Sequence, residues 1–449
     1  MTYKDIKLAY GNEIVDRFIP MDLNSHVLVC PPSERTFTDL QKRFDEILEN
    51  PVNSKSLEEL VKNRQKQQVT IIVDDNTRPN KHTKIILPLL FEKLFAYGVN
   101  KDNIKILIAA GSHIPPAVEA IENKILGPEI FSDWSNNVII HQQAQNCTDL
   151  GFSSRGTPIA IDSNVLNAGL VISVSDSEYH YFAGVAGTVK QFFPGCAGKD
   201  TIARNHPQMF DYEHGFKPEC RLGNTKDNPV IEDMKEMVGE VKKLVPIFCI
   251  DAVLEDDEIV IIHAGDVLSL HEMAAEFLKP IRVYEVDEPA DLVLVSVGVL
   301  GINLYQAGKG FHAGWNAVKQ GGDVLLLGKC EQGHGNTNYF ETMEEIKNKD
   351  LDEGMRWVID NKCSIETFKI GNQKPVDLLR ILKRCTLHMV TDLEKDELEK
   401  TFRIKYVPRK ETVQETLREW IKNYRKEKNK DPLVYVLPDA GILVNVKNR

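Results

Sequence analysis

QVTIIVDDNTRP, residues 68–79, is the stretch from which the fold can be read. Gln68 to Val73 is a continuous β-branched run, the composition of a parallel strand buried on both faces. Asp74-Asp75-Asn76-Thr77-Arg78-Pro79 is polar and turn-forming, so the strand stops where reactive side chains begin. Outward from it, a helix is expected over 84–97 (KIILPLLFEKLFAY) and a second buried strand over 104–111 (IKILIAAG). That strand ends in Gly111-Ser112-His113, ahead of Ile114-Pro115-Pro116, and further strands are expected at 137–142 (NVIIHQ) and 171–174 (VISV). Strands and helices alternating at this spacing predict an α/β fold with a doubly wound, mostly parallel sheet. Such sheets bind ligands outside the carboxyl ends of their strands. Three strand ends carry DDNTRP, GSH and SDSEYH, which would meet at one crevice.

Upstream, residues 3–30 read as paired strands followed by a buried VLVC, and Ser33-Glu34-Arg35 and Ser56-Leu57-Glu58-Glu59 read as helix starts. Ser56 with Glu59 resembles a capping box. From about 208 to 275 the chain reads as more irregular and acidic, with FCIDAVL and EIVIIHAG forming a hairpin and a helix over 267–279. Strands are then expected at 290–298, 321–328 and 386–390, helices at 305–319 and 411–427, and a last strand at LVYVLP. The expected division is an N-terminal α/β domain, 1–275, and a smaller C-terminal α/β domain, 276–449, with the active site in the cleft between them.

With 449 residues, 42% hydrophobic and 27% charged, the chain has the composition of a soluble protein too long for one core. A net charge of −11 without clustered cations argues against nucleic acid. A locally basic cleft could still take a small anion. Eight cysteines without a C-x-x-C pair read as free thiols in a reducing cytosol. No run of about 18 apolar residues suggests a membrane span, so a cytoplasmic location is expected.

The chemistry is concentrated in VISVSDSEYHYFAGVAGTVKQFFPGCAGKDTIARNH, residues 171–206. It supplies His180, Lys190 ten positions on and His206 sixteen after that, with glycines 184, 187, 195 and 198 and Pro194 between them. The candidate site is Asp75, Arg78, His113, His180, Lys190, His206, Gln306 and Lys309. Two histidines can exchange protons near neutral pH, and Arg78 can grip a carboxylate with paired hydrogen bonds. Lys190 could bind phosphate, form a Schiff base or carry a cofactor. A histidine at the far end could ligate a metal. Taken singly, each of these residues is more often a local salt bridge or a surface group. Their joint occurrence at strand ends favours a site.

HYFAG…K…PG.AG..TI..NH, with DD.TRP, GSH and NLYQAGK, closely resembles the lactate racemase family, enzymes that use a nickel-pincer nucleotide cofactor. The resemblance spans four motifs over roughly residues 70–310, with matching order and spacing. It implies that Lys190 holds the cofactor (nickel pyridinium-3,5-bisthiocarboxylic acid mononucleotide) covalently, and that His206 is the protein's nickel ligand. It further implies that His113 and His180 are the acid/base pair on opposite faces of the substrate. Arg78, Gln306 and Lys309 would orient the carboxylate and hydroxyl, with Asp75 and Tyr305 in the cofactor and substrate surroundings. The implied substrate is a small anionic 2-hydroxy acid: lactate, a larger hydroxy acid, malate or a sugar acid. Cofactor-synthesis enzymes are implied partners, so the chain can be isolated as apoprotein. Where the family usually has Gly then Arg or Pro before the lysine, this chain has Thr188 and Val189. Ahead of NLYQ, where Pro and Asp are common, it reads Gly298-Val299-Leu300-Gly301-Ile302. The expectations competing with a racemase are a Schiff-base lyase using Lys190 and a non-catalytic nickel- or nucleotide-binding protein.

Overall fold

The structure, a computed structural model, describes residues 7–11, 13–16, 25–27, 37–78, 80–255, 258–364 and 366–447. The chain divides into two compact units. A central unit comprises residues 32–209 and 219–280, and a terminal unit comprises 1–31, 210–218 and 281–449. The helix start expected at 33–35 lies outside the described residues.

The β-branched run becomes the strand Val69–Asp74, buried from Val69 through Val73. Parallel to it lie Ile104–Ala109 on one side and Leu170–Asp176 on the other. The six-stranded sheet runs Glu258–Gly265, Ile247–Glu255, Leu170–Asp176, Val69–Asp74, Ile104–Ala109, Val138–Ile140, and only Glu258–Gly265 is antiparallel to its neighbour. Strand order therefore reverses between Val69–Asp74 and Leu170–Asp176. At such a switch point the loops leave in opposite directions and open a crevice. One core cluster packs Ile71, Val73, Ile106, Ile172 and Ile250 with Ile86, Leu87 and Leu90 of the helix Lys81–Ala96. The Ser56/Glu59 capping box is present at the helix Leu57–Val61.

Several elements were not expected, among them the helices Thr337–Ile346, Leu351–Lys362 and Gln373–Leu382. The helix Pro229–Leu244 occupies the stretch that read as irregular, and Cys147–Phe152 with Pro158–Asp162 forms an antiparallel pair.

In the terminal unit, six parallel strands run Lys405–Tyr406, Thr386–Val390, Val318–Leu327, Ala290–Ser296, Val434–Leu437, Ser25–Val27. The last of these comes from the start of the chain. The N-terminal segment therefore groups with the terminal unit, so the boundary expected at 275/276 becomes a discontinuous division closing at 280/281. Among the described residues, no helix is long and apolar enough to cross a membrane. The seven described cysteines are free thiols.

Candidate functional site

The turn after Val69–Asp74 is built by Asp75. Its buried carboxylate accepts the backbone N–H of Thr77 at 3.1 Å and the Thr77 hydroxyl at 2.6 Å on Oδ1. Its other oxygen lies 2.6 Å from Nδ1 of His113. The imidazole is held at one nitrogen while its side chain stays 47% exposed, leaving the ring open to a ligand. His113 is delivered by Gly111, whose N–H donates to the carbonyl of Gly195 at 2.8 Å. Gly111 has φ +53°, and a Cβ there would come within 3.0 Å of the Pro194 carbonyl. The GSH turn and the glycine-rich loop are thus locked together. Arg78 pairs with Glu178 at 2.8 Å, and surrounding carboxylates raise its already high pKa. It is a permanent cation.

Phe182, in the middle of HYFAG, organises the remaining residues. His180 meets its ring edge-on at 4.5 Å between centroids, and His206 meets it at 5.4 Å. The Lys190 Nζ lies over the same ring at 5.6 Å. The ammonium and two imidazoles therefore share one aromatic neighbour. His180 Nδ1 accepts the backbone N–H of Ala183 at 3.3 Å, which places its proton on Nε2 in the neutral form. His206 is 5% exposed, and burial, then the Lys190 charge, push its pKa down to about 3. It is a neutral imidazole across the physiological range.

Lys190 is the second residue of the short helix Val189–Phe192, which follows Thr188 at φ +42°. That conformation costs a β-branched residue on the order of 1–3 kcal/mol. Two contacts fix it: the Thr188 N–H donates to Ser175 Oγ at 3.1 Å, and its hydroxyl lies 2.8 Å from His271 Nδ1. Gln191, next to the lysine, donates to Asp74 Oδ1 at 3.0 Å and to the Val174 carbonyl at 2.6 Å, tying the loop to both strands of the switch point.

Asp75, Arg78, His113, His180, Lys190 and His206 all lie in the central unit, where Asp75 holds His113, Arg78 pairs with Glu178, and His180, Lys190 and His206 surround Phe182. In the terminal unit, Asn303 caps the helix Leu304–Ala317 by accepting the Gln306 N–H at 3.0 Å. Gln306 and Lys309 are half-buried and three apart, on one helix face. The Tyr305 phenol accepts from Gln373 Nε2 at 3.3 Å, and burial pushes its pKa up to about 12. The loop after Val318–Leu327 secures this helix start: Leu304 and Tyr305 donate to the carbonyls of Gly333 and His334.

Sequence reading passed over Phe182, although it lies inside a quoted motif, and His82, which is fully buried on the helix Lys81–Ala96. His82 carried no sequence signal, because only the fold puts it beside Asp74.

His206 and Lys190 could hold a metal together with an organic group. A neutral buried imidazole can ligate a metal without first losing a proton, and a lysine beside it, raised on a tight turn, can anchor an organic group.

Similarity to known proteins agrees with this geometry. Profiles of the lactate racemase N-terminal domain and C-terminal domain match residues 10–216 and 286–446. A lactate racemase of Thermoanaerobacterium thermosaccharolyticum is 30% identical over 414 residues, 92% of this chain and 91% of its own. A lactate racemase of Lactiplantibacillus plantarum is 30% identical over 68% of this chain and 70% of its own. The structure of the lactate racemase apoprotein from T. thermosaccharolyticum superposes with a TM-score of 0.82 at 27% identity, covering 99% of this chain and 100% of that one. A Thermotoga maritima protein shares the fold at a TM-score of 0.60 and 15% identity, over 88% of this chain and 100% of its own. With profiles matched at both ends and a relative aligned along nine-tenths of both chains, the chain belongs to the lactate racemase family of isomerases.

Proposed function

We propose that this chain inverts the C2 stereocentre of a small 2-hydroxy acid, using a nickel-pincer nucleotide held covalently on Lys190 with His206 as the protein's nickel ligand. The observation that carries this reading is the grouping of His180, Lys190 and His206 around the single ring of Phe182. The C–H at C2 lies next to an anionic carboxylate and is a very poor acid, so exchange by proton removal from carbon is costly. When bound, the cofactor supplies the hydride-accepting carbon that no side chain offers.

The protein's own residues do the rest. Arg78, permanently charged, binds the substrate carboxylate, and Gln306 and Lys309 orient the carboxylate and hydroxyl. One histidine takes the hydroxyl proton as C2 becomes planar. For His113, the Asp75 carboxylate at 2.6 Å fixes the ring and stabilises the imidazolium that forms. For His180, a backbone N–H on Nδ1 fixes the tautomer instead. The second histidine returns the proton when the opposite enantiomer forms, and the cofactor, when bound, would supply the hydride that closes the exchange. A reaction symmetric in direction needs two such bases, and this site has two.

Lactate is the substrate named for the relatives. The segment Gly298–Ile302, which departs from the family's usual Pro and Asp, leaves a larger hydroxy acid, malate or a sugar acid within the same reading. We place the enzyme in the cytoplasm, where separate cofactor-synthesis enzymes would load it.

The test is chain produced alongside those enzymes and incubated with enantiopure 2-hydroxy acids, followed by chiral chromatography. Interconversion and a mass adduct on Lys190 are expected, and Lys190→Ala should lose both. Normal turnover by Lys190→Ala, or a borohydride-reducible imine with a keto acid, would overturn the reading.

A further inference from the structure

Beneath the turn that carries Asp75 and Arg78 lies a second group of side chains that the proposed reaction does not use. Asp74 ends one strand of the switch point, Asp176 ends the other, and His82 stands in the first turn of the helix Lys81–Ala96. One donor atom from each lies within 4.8 Å of the other two.

Their hydrogen bonding is incomplete. Asp74 Oδ2, His82 Nδ1 and Asp176 Oδ1 are all buried with no hydrogen-bond partner among the described residues. Asp74 Oδ2 makes only a 3.3 Å ion-pair approach to His82 Nε2. His82 is fully buried and Asp176 is 6% exposed, so bulk water cannot satisfy these atoms. Buried polar atoms almost always find partners, and one orphaned atom on each of three clustered side chains needs an explanation such as a bound ion. The nearby groups are already engaged. Arg78 is held by Glu178, and Asp251 accepts from the hydroxyls of Ser175 and Ser177 at 2.6 Å each. Two carboxylates and one imidazole are left facing one another.

We propose that Asp74, His82 and Asp176 form a binding site for one divalent transition cation, separate from the nickel ligand His206. One imidazole nitrogen and two carboxylate oxygens suit Mn2+, Fe2+ or Zn2+ better than Ca2+ or Mg2+, which favour all-oxygen sets. Metal–donor bonds of about 2.1 Å span about 4.2 Å between opposite donors. In a tetrahedral set neighbouring donors stand about 3.4 Å apart, a separation that Asp74 Oδ2 and His82 Nε2 already have at 3.3 Å, so closing the site means drawing Asp176 in from within 4.8 Å. Asp74 also holds Gln191 through its other oxygen, so a cation here would brace the strand end that positions the loop of Lys190. The proposal does not depend on the racemase reading, because it concerns metal bound by the chain without cofactor.

The experiment uses full-length chain made without cofactor-synthesis enzymes, stripped with EDTA, titrated with Mn2+ and separately with Zn2+ by calorimetry, and with Mn2+ by electron paramagnetic resonance. One Mn2+ per chain with nitrogen coupling from a single imidazole is expected. His206→Ala should keep this binding, and Asp176→Asn, which preserves shape and hydrogen-bonding capacity, should weaken it at least tenfold. Absence of stoichiometric Mn2+ and Zn2+, absence of nitrogen coupling, loss in His206→Ala or full retention in Asp176→Asn would each overturn it. Should circular dichroism show Asp176→Asn unfolded, nitrogen coupling and a Mn2+-dependent rise in Tm, both retained in His206→Ala, decide the question.

Discussion

The two proposed proton-transfer histidines are fixed by different devices, and this makes them separable by mutation. His113 is oriented by a carboxylate at 2.6 Å, whereas His180 rests on a backbone N–H at 3.3 Å and on the rings of Tyr181 and Phe182. Asp75→Asn keeps the size of the side chain but removes the charge that stabilises an imidazolium at position 113. Carboxylate partners of metal-ligating histidines are worth roughly 10–100-fold, and a loss on that order is expected here. It should fall on kcat, with a smaller change in KM. Unchanged kcat in steady-state assays would remove Asp75 from that role.

His206 permits a second test, on stability. Its pKa falls from 6.5 to about 3 on folding, mainly through burial. Between those pH values the unfolded chain holds one more proton at this residue than the folded chain. Stability from this group is therefore present above about 6.5 and is lost as pH falls toward 3. Denaturant melts of the apoprotein between pH 7 and 4 should show a flatter acid limb in His206→Gln than in the parent.

The elements show how much of the site was legible and why the rest was not. The strands ending in DDNTRP, GSH and SDSEYH could be read because burial on both faces enforces unbroken apolar runs, and these stop abruptly where the sheet ends. The helix Pro229–Leu244 was passed over even though its signal is present. Asn228 is a good N-cap, Pro229 suits the first turn, and Val230, Ile231, Met234, Met237, Val238 and Val241 recur at helical spacing. Acidic and basic residues on the outer face masked that stripe. Long-range pairings such as Thr188 with His271 have no sequence signature, because residues 83 positions apart meet only once the sheet has formed.

Asn228 also reaches beyond its own helix. Its Oδ1 accepts the Val230 N–H at 3.2 Å, and its Nδ2 donates to the Phe182 carbonyl at 2.7 Å in a fully buried setting. Asn228→Ala removes a cap worth about 1 kcal/mol. It also strands a buried carbonyl at a further cost of about 1–3 kcal/mol. The expected loss is about 2–4 kcal/mol in chemical denaturation. Cofactor loading at Lys190 should fall with it, because Phe182 is the ring against which Lys190 and His206 rest.

At the scale of the molecule, the first residues are part of the last sheet. Ser25–Val27 pairs in parallel with Val434–Val436. Leu8 and Tyr10 are fully buried in a cluster with Leu294, Leu325, Val390 and Leu417. The Tyr10 hydroxyl donates to Asp392 at 2.8 Å, and its ring carries the Arg409 guanidinium at 4.8 Å. Ala9 is fastened at both backbone groups by the Ser296 hydroxyl, which lies at the carboxyl end of the strand Ala290–Ser296. The terminal unit therefore completes its core only by drawing on both ends of the chain, whereas the central sheet uses residues 69–265 alone. Tyr10→Ala should cost the terminal unit about 3–5 kcal/mol, the range for deleting a large buried aromatic. The loss should be local. Hydrogen exchange should accelerate in 290–296, 318–327, 386–390 and 434–437, while amides of 69–74, 104–109 and 170–176 keep their protection. Uniform deprotection of both sheets would show instead that the two units unfold as one.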